Sequence, residues 1–368
     1  MMNLYSLFST GLLLFALTSS VFGQDYYTYV AAESEDEVYE IHFDGETEQA
    51  TINETITVGR YPTETDGPHG MTVAPDGKHW FVTIAHGNPY GYLAKYSTAA
   101  NELVETTELG MFPASMEIST ATGLLYVVNF NLHGDHKPST VMVVDPETMT
   151  LVETIKTGIM PHGSRISPDG QYQYHVSMMT DELIQISTTE MAVTGSINVS
   201  TGEKSKVMHS NMGSMGSEDH AKPDAKPTWA HPHPDKPLVY VANNGSDEIV
   251  EVNIENWKIT RRFETGKAPY NLEVTADGKM LVASYKGEGA TGIWDIEAGK
   301  ELAKIKNSRT VTHGVTISPD NRYAFISVEG KGGEPGSVDV IDLQKLEMTD
   351  YVEVGKQAGG IYFWKMEE

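Results

Sequence analysis

Apolar residues fall along this chain in short β-branched and aromatic runs, separated by Gly, Pro and Asp turns, which is the pattern of strands and hairpins. One phrase recurs. It opens on Pro or a small residue, carries a few apolar residues into a Pro-Asp-Gly-like turn, and leaves through an aromatic run. Pro68-His69-Gly70 leads through Ala74-Pro75-Asp76-Gly77 to Trp80-Phe81-Val82. Pro113-Ala114 leads through Thr122-Gly123 to Tyr126-Val127-Val128, and Pro161-His162-Gly163 through Ser167-Pro168-Asp169-Gly170 to Tyr174-His175-Val176. Later copies begin at Pro227-Thr228-Trp229, Pro269-Tyr270 and Thr312-His313-Gly314. The first residue of each phrase falls at 68, 113, 161, 227, 269 and 312, with gaps of 45, 48, 66, 42 and 43. A period in the low forties with four short strands per unit is that of a propeller blade.

Third strands are expected at Val141–Asp145, Glu248–Asn253 and Ser337–Asp342, and fourth strands at Leu151–Lys156 and Lys258–Phe263. Six units are complete, and the chain ends supply a seventh. Ala358–Trp364 reads as a first strand with nothing after it, while Tyr26–Ala31, Glu37–Phe43 and Ala50–Val58 read as the missing three. Pairing them closes the ring and removes the open sheet edges that template aggregation. The prediction is an all-β, seven-bladed β-propeller of four-stranded antiparallel blades, one domain over residues 24–368.

Residues 1–23 read as a secretory signal, with an apolar core at Leu12-Leu13-Leu14-Phe15-Ala16-Leu17 and small residues Val21 and Gly23 before a cleavage site near Gln24. The core is short for a membrane span of ~20 residues, and no later stretch is longer. The expectation is therefore a periplasmic or secreted monomer, with no membrane insertion after signal removal. The 368-residue chain has a formal net charge of −25, which repels nucleic acid and anionic lipid and favours cations or basic partners, including a periplasmic protein. Cysteine is absent, so disulfides, thiolate nucleophiles, Cys-ligated clusters and covalent haem c attachment are excluded. No phosphate loop or dinucleotide fingerprint occurs, so no nucleotide cofactor is expected.

Pro161-His162-Gly163, Ser167-Pro168-Asp169-Gly170, Tyr240-Val241-Ala242-Asn243-Asn244 and Val338-Asp339-Val340-Ile341-Asp342 resemble the repeat of YVTN/YncE-like β-propellers, over nearly the whole chain after the signal. The resemblance implies the seven-bladed fold. It extends in architecture to the propellers of nitrous oxide reductase, cytochrome cd1 and lactonases, whose chemistries differ, so it does not choose a function.

Blade order places chemistry. The residue after the leading Pro and the loop after each second strand share one face. The leading position holds His69, Ala114, His162, Thr228, Tyr270 and His313, and the second-strand loops add His86, His133 and His136. Converging neutral imidazoles suit copper, nickel or zinc. The six His are accordingly the candidate metal ligands at a channel mouth; each is equally readable as a loop hydrogen-bonder. The 66-residue gap adds an insertion at 199–226, expected as a mobile loop over that face. Its His209, Met212, Met215 and His220 are secondary ligands of the kind that suits copper. Tyr270, Tyr285 and Arg165 are expected to add polar groups to the channel. Glu33, Glu35, Asp36 and Glu329 also follow second strands and are expected as solvated loop charge. His231 and His233 are placed near the opposite face, and His42, His79 and His175 within strands.

Three functions follow from these readings. The first is an exported propeller that binds a transition metal, copper before zinc or calcium, for metal handling or as a redox accessory. The second is a lactonase-like hydrolase using a divalent cation near Glu33, Asn129 and Asn243. The third is a metal-free protein-interaction scaffold. No catalytic residue is assigned.

Overall fold

The computed structural model describes residues 23–60, 63–86, 91–204 and 223–368. The signal segment and the His209, Met212, Met215 and His220 candidates lie outside the described residues. The strands in chain order are β1 (Asp25–Ala32), β2 (Glu37–Asp44) and β3 (Gln49–Thr57); β4 (Pro68–Val73), β5 (His79–Ile84), β6 (Tyr92–Ser97) and β7 (Leu103–Glu108). Next come β8 (Pro113–Ile118), β9 (Leu125–Asn129), β10 (Pro138–Asp145) and β11 (Thr150–Ile159); β12 (Pro161–Ile166), β13 (Tyr172–Ser177), β14 (Glu182–Ser187) and β15 (Ala192–Asn198). They are followed by β16 (Pro227–Pro232), β17 (Leu238–Asn243), β18 (Glu248–Asn253) and β19 (Lys258–Glu264); β20 (Pro269–Val274), β21 (Met280–Tyr285), β22 (Ala290–Asp295) and β23 (Lys300–Lys306). The chain ends on β24 (Val311–Ile317), β25 (Tyr323–Glu329), β26 (Gly336–Asp342), β27 (Glu347–Val354) and β28 (Ala358–Glu367).

These make seven four-stranded antiparallel sheets arranged in a ring, and no helix occurs among the described residues. The closing sheet runs β28-β1-β2-β3, with Val30 opposite Ile361 and Ala32 opposite Ala358. The predicted joining of the chain ends is therefore present. The first strand of every blade packs against the first strands of its two neighbours, β28 lying between β24 and β4. These seven strands surround the central channel.

The turn chemistry is visible in the backbone. Gly77, Gly123, Gly170 and Gly278 take φ of +69°, +73°, +74° and +68° at the turn after each first strand, where an L side chain is strained. Outer strands alternate: β23 runs exposed, half-buried, exposed along its length, whereas the second strand β5 is buried from Trp80 to Ile84. The core lies between blades. Tyr29, Trp80 and Tyr96 stack in series across the first blade boundary, with ring centroids 5.1 and 4.2 Å apart.

A candidate metal centre at the channel mouth

The backbone leading into three of the blades is held by an acidic clamp. Asp36 Oδ1 accepts hydrogen bonds from Asp66 N and Gly67 N (2.9 and 2.7 Å), and Asp181 accepts from Asp224 N and Lys226 N (both 2.8 Å). Asp247 accepts from Ala268 N at 2.8 Å. The residue before each leading Pro is left-handed: Gly67, Phe112, Met160, Lys226 and Ala268. This kink turns the chain from the rim into the channel, so the next side chain but one faces the axis.

The first strands then approach closely. A Cβ on Gly70 would meet Ala114 O at 1.7 Å, and one on Gly360 would meet His69 O at 1.8 Å. Glycine at these positions lets neighbouring blades close, and closure brings the imidazoles together.

His69, His162 and His313 do converge. The His69 ring centroid lies 6.2 Å from that of His162 and 6.1 Å from that of His313. All three line one cavity and are at least nine-tenths buried. Glu33, at the end of the neighbouring blade's second strand, holds two imidazoles. Its Oε2 lies 2.8 Å from His69 Nδ1 and its Oε1 2.8 Å from His86 Nε2. Burial alone would raise this carboxyl, but the two imidazoles outweigh it and hold it far below the usual range. The same contact raises His86.

His162 donates from Nδ1 to Thr228 O at 2.9 Å, and Tyr270 OH donates to its Nε2 at 3.2 Å. Burial pushes the His162 imidazole down to about 3, and His69 beside it adds to the effect. His313 is likewise depressed by burial, with Lys286 contributing. Both are therefore neutral imidazoles at ordinary pH, each with one nitrogen protonated and one carrying a lone pair. Lys286 Nζ lies 2.8 Å from Glu329 Oε1 and 4.3 Å above the Tyr270 ring. Burial would lower this ammonium, yet Tyr270 and Glu329 hold it above its ordinary value.

The other candidates separate. His133 stands exposed with its ring 5.5 Å from that of His86. His136 is exposed on the same loop and shares no ring contact with the others. Tyr285 is a correction. Its OH bonds Glu301 at 2.7 Å and accepts from Trp294 Nε1 at 2.8 Å inside its blade, because a second-strand side chain of that parity points between blades. Glu33 and Glu329 are corrections as well. Glu33 is a buried partner of His69 and His86 and Glu329 a half-buried partner of Lys286, rather than solvated charge, and Asp36 is a clamp. Glu35, paired with exposed Lys356, does remain on the surface. Asn129 holds Gly110 N and Thr140, and Asn243 reaches Glu248, so neither joins Glu33. His233 caps its own turn at Asp235 N and Lys236 N, and buried His175 bonds Thr157 and Gln173. His231 lines the opposite end of the channel.

Sequence reading passed over Lys286, Phe112, Phe130 and Asn271. Lys286 follows its second strand as Glu33 and Glu329 follow theirs, so the repeat alignment carried the signal. Phe112 and Phe130 wall the mouth, packing edge-on against His69 and His162.

Among the described residues no three His, Asp or Glu side chains already meet at ion-binding distance. Three imidazoles sharing an ion through ~2.0–2.1 Å bonds have ring centres roughly 5 Å apart, about an ångström closer than these. His69 and His162 nonetheless have the outer-shell arrangement of metal-ligating His. One ring nitrogen of each is anchored on a carboxylate or carbonyl; the other is open in His69 and accepts from Tyr270 OH in His162.

Comparison with known proteins bears on the fold. No curated protein matches the chain in sequence. Hydrazine synthase of Kuenenia stuttgartiensis superposes with a TM-score of 0.61 at 19% identity, over 79% of this chain and 80% of that one. A functionally unknown protein of Desulfotomaculum acetoxidans gives 0.68 at 14% identity, over 92% and 98% of the two chains. A Bacteroides fragilis protein provisionally described as a 6-phosphogluconolactonase gives 0.68 at 13% identity, over 95% and 99%. Residues 226–361, three blades and the start of β28, match the model of the YNCE-like β-propellers, and the chain as a whole is a seven-bladed propeller.

Proposed function

We propose that this chain is an exported binding propeller that takes up one transition-metal ion, copper before zinc or calcium, at His69, His162 and His313. The observation that carries the reading is the paired anchoring of His69 Nδ1 on Glu33 and His162 Nδ1 on Thr228 O, which leaves Nε2 as the remaining nitrogen of each ring. Neutral imidazoles suit both copper states. Glu33 and Glu329 place two carboxylates at the mouth, which favours a cation. Loading draws the rings inward by about an ångström toward the ~2.0–2.1 Å metal–nitrogen distance. Tyr270 OH turns from His162 Nε2 as the ion takes that lone pair. Export follows from the apolar Leu12–Leu17 core of the N-terminal segment, and the role is metal handling or a redox accessory.

Titration of the metal-free protein with Cu(II) in the presence of a competing chelator tests the reading. One saturable site is expected, lost when His69, His162 and His313 are replaced together by Ala. A triple variant that binds as tightly as the parent ends it.

A further inference from the structure

The cavity that His69, His162 and His313 line is a narrow waist of the channel, of about 30 Å³. Three of its lining residues carry a buried polar atom with no partner among the described residues: Trp229 Nε1, Asn271 Oδ1 and His313 Nδ1. These residues are only 8%, 4% and 6% exposed. Stranding one polar atom in a protein interior is costly; three around one cavity mark a place built for something that hydrogen-bonds.

Arg165 lines the same cavity. Its Nη1 donates to Ser164 O at 3.0 Å, its Nη2 stands 3.6 Å from Glu273 Oε2, and its guanidinium lies 4.9 Å from the Trp229 ring centroid. A guanidinium has five N–H groups and no acceptor, and an indole nitrogen only donates. His313 Nε2 is 3.8 Å from Glu329 Oε1, too far for a hydrogen bond, so the ring is free to place its proton on Nδ1. The Asn271 carboxamide presents oxygen or nitrogen by a half-turn. The waist is therefore rich in donors and poor in acceptors.

Size narrows the ligand. A water needs ~10–15 Å³ of such space, so this cavity holds about two waters or one molecule of three heavy atoms. We propose that the channel waist binds one triatomic oxyanion of the formate and nitrite class, held by Trp229 Nε1–H, the Arg165 guanidinium and His313, with Asn271 alongside. Access is from the opposite face. There a cavity of about 330 Å³, lined by Glu117, His231, Glu273 and Tyr362, ends on the other side of Arg165. The site goes beyond the metal reading, since Trp229, Asn271 and Arg165 are not ligands of that ion. The two ligands share one small cavity, so loading with an ion would exclude the anion.

Calorimetric titration of the full chain, stripped of metal, with sodium formate is the test. Saturable 1:1 binding is expected, displaced by nitrite and not by an equal concentration of chloride. Trp229→Phe, which keeps the ring and loses the donor, should weaken it at least tenfold while copper uptake is unchanged. Asn271→Asp, which sets a carboxylate against the anion, should abolish it, and stands in should Trp229→Phe not fold. No saturable binding by the parent, or equal affinity in both variants, overturns the proposal. Copper uptake is scored separately on the same proteins, so a failed metal site and a failed anion site give different results.

Discussion

Removing residues 358–368 should abolish the cooperative fold of the whole domain. β28 pairs with β1 at seven positions, from Asp25 opposite Glu367 to Ala32 opposite Ala358. At roughly one net hydrogen bond per position and ~1 kcal/mol each, the ladder contributes on the order of 7 kcal/mol. Ile361, 6% exposed, joins the cluster of Val30, Ile41, Phe43 and Phe325, and burial of such a side chain adds about 2–5 kcal/mol. Trp364 also packs on Tyr29, with centroids 5.2 Å apart. The loss falls within the ~5–15 kcal/mol stability of an ordinary domain and so is comparable to the whole of it. The single change Ile361→Ala removes a smaller part, about 3 kcal/mol, which for a chain of this length lowers Tm by about 4 °C. Differential scanning calorimetry of the parent, the point variant and the truncation makes the comparison. A truncated protein melting within 2 °C of the parent would refute the reasoning, because β1 would then be stable as an edge.

Three further outcomes are expected. Glu33→Gln keeps the size of the side chain but loses its charge, so His69 is less firmly oriented; copper affinity should fall about 10- to 100-fold, read by chelator competition. Glu273 is pushed up to about 7 by burial, against the opposing pull of Arg165. Between the ~4.3 of an unfolded Glu and about 7 the folded state holds a proton the unfolded chain has lost. Stability therefore falls as pH rises through that window, by at most ~4 kcal/mol, and levels off above it; Glu273→Gln should flatten this slope in denaturant melts at pH 5 and pH 8. Gly70→Ala should cost well over the ~1–3 kcal/mol that left-handed strain costs in Gly77→Ala. The added methyl at 70 meets a backbone oxygen, whereas the one at 77 meets nothing within 4 Å; equal Tm values for the two variants would contradict the close approach of the blades.

The fold was legible because each blade repeats its own punctuation. The Asp-Gly turns, the leading Pro and the tyrosine-rich second strands recur at a fixed period, and the incomplete ends complement each other. The convergence of His69, His162 and His313 was legible for the same reason, since equal positions in a ring face one axis. What the chain did not disclose was pairing across blades. Glu33 reads as one more acid in an acidic loop, and only folding sets it between His69 and His86. Tyr285 failed in the opposite sense, because one residue of parity in a strand decides between channel and core. Trp229, Asn271 and Arg165 became a group only when the channel's narrowing was seen, and no local pattern announces a void.

The central claim is a metal at the channel mouth, and the most direct measurement is the metal content of the protein purified from its native source without an affinity tag. The account predicts about one copper per chain, lost in the His69, His162 and His313 triple Ala variant. Protein that carries no transition metal and takes up neither Cu(I) nor Cu(II) would contradict it, and would reduce the three imidazoles to a hydrogen-bonded lining of the channel.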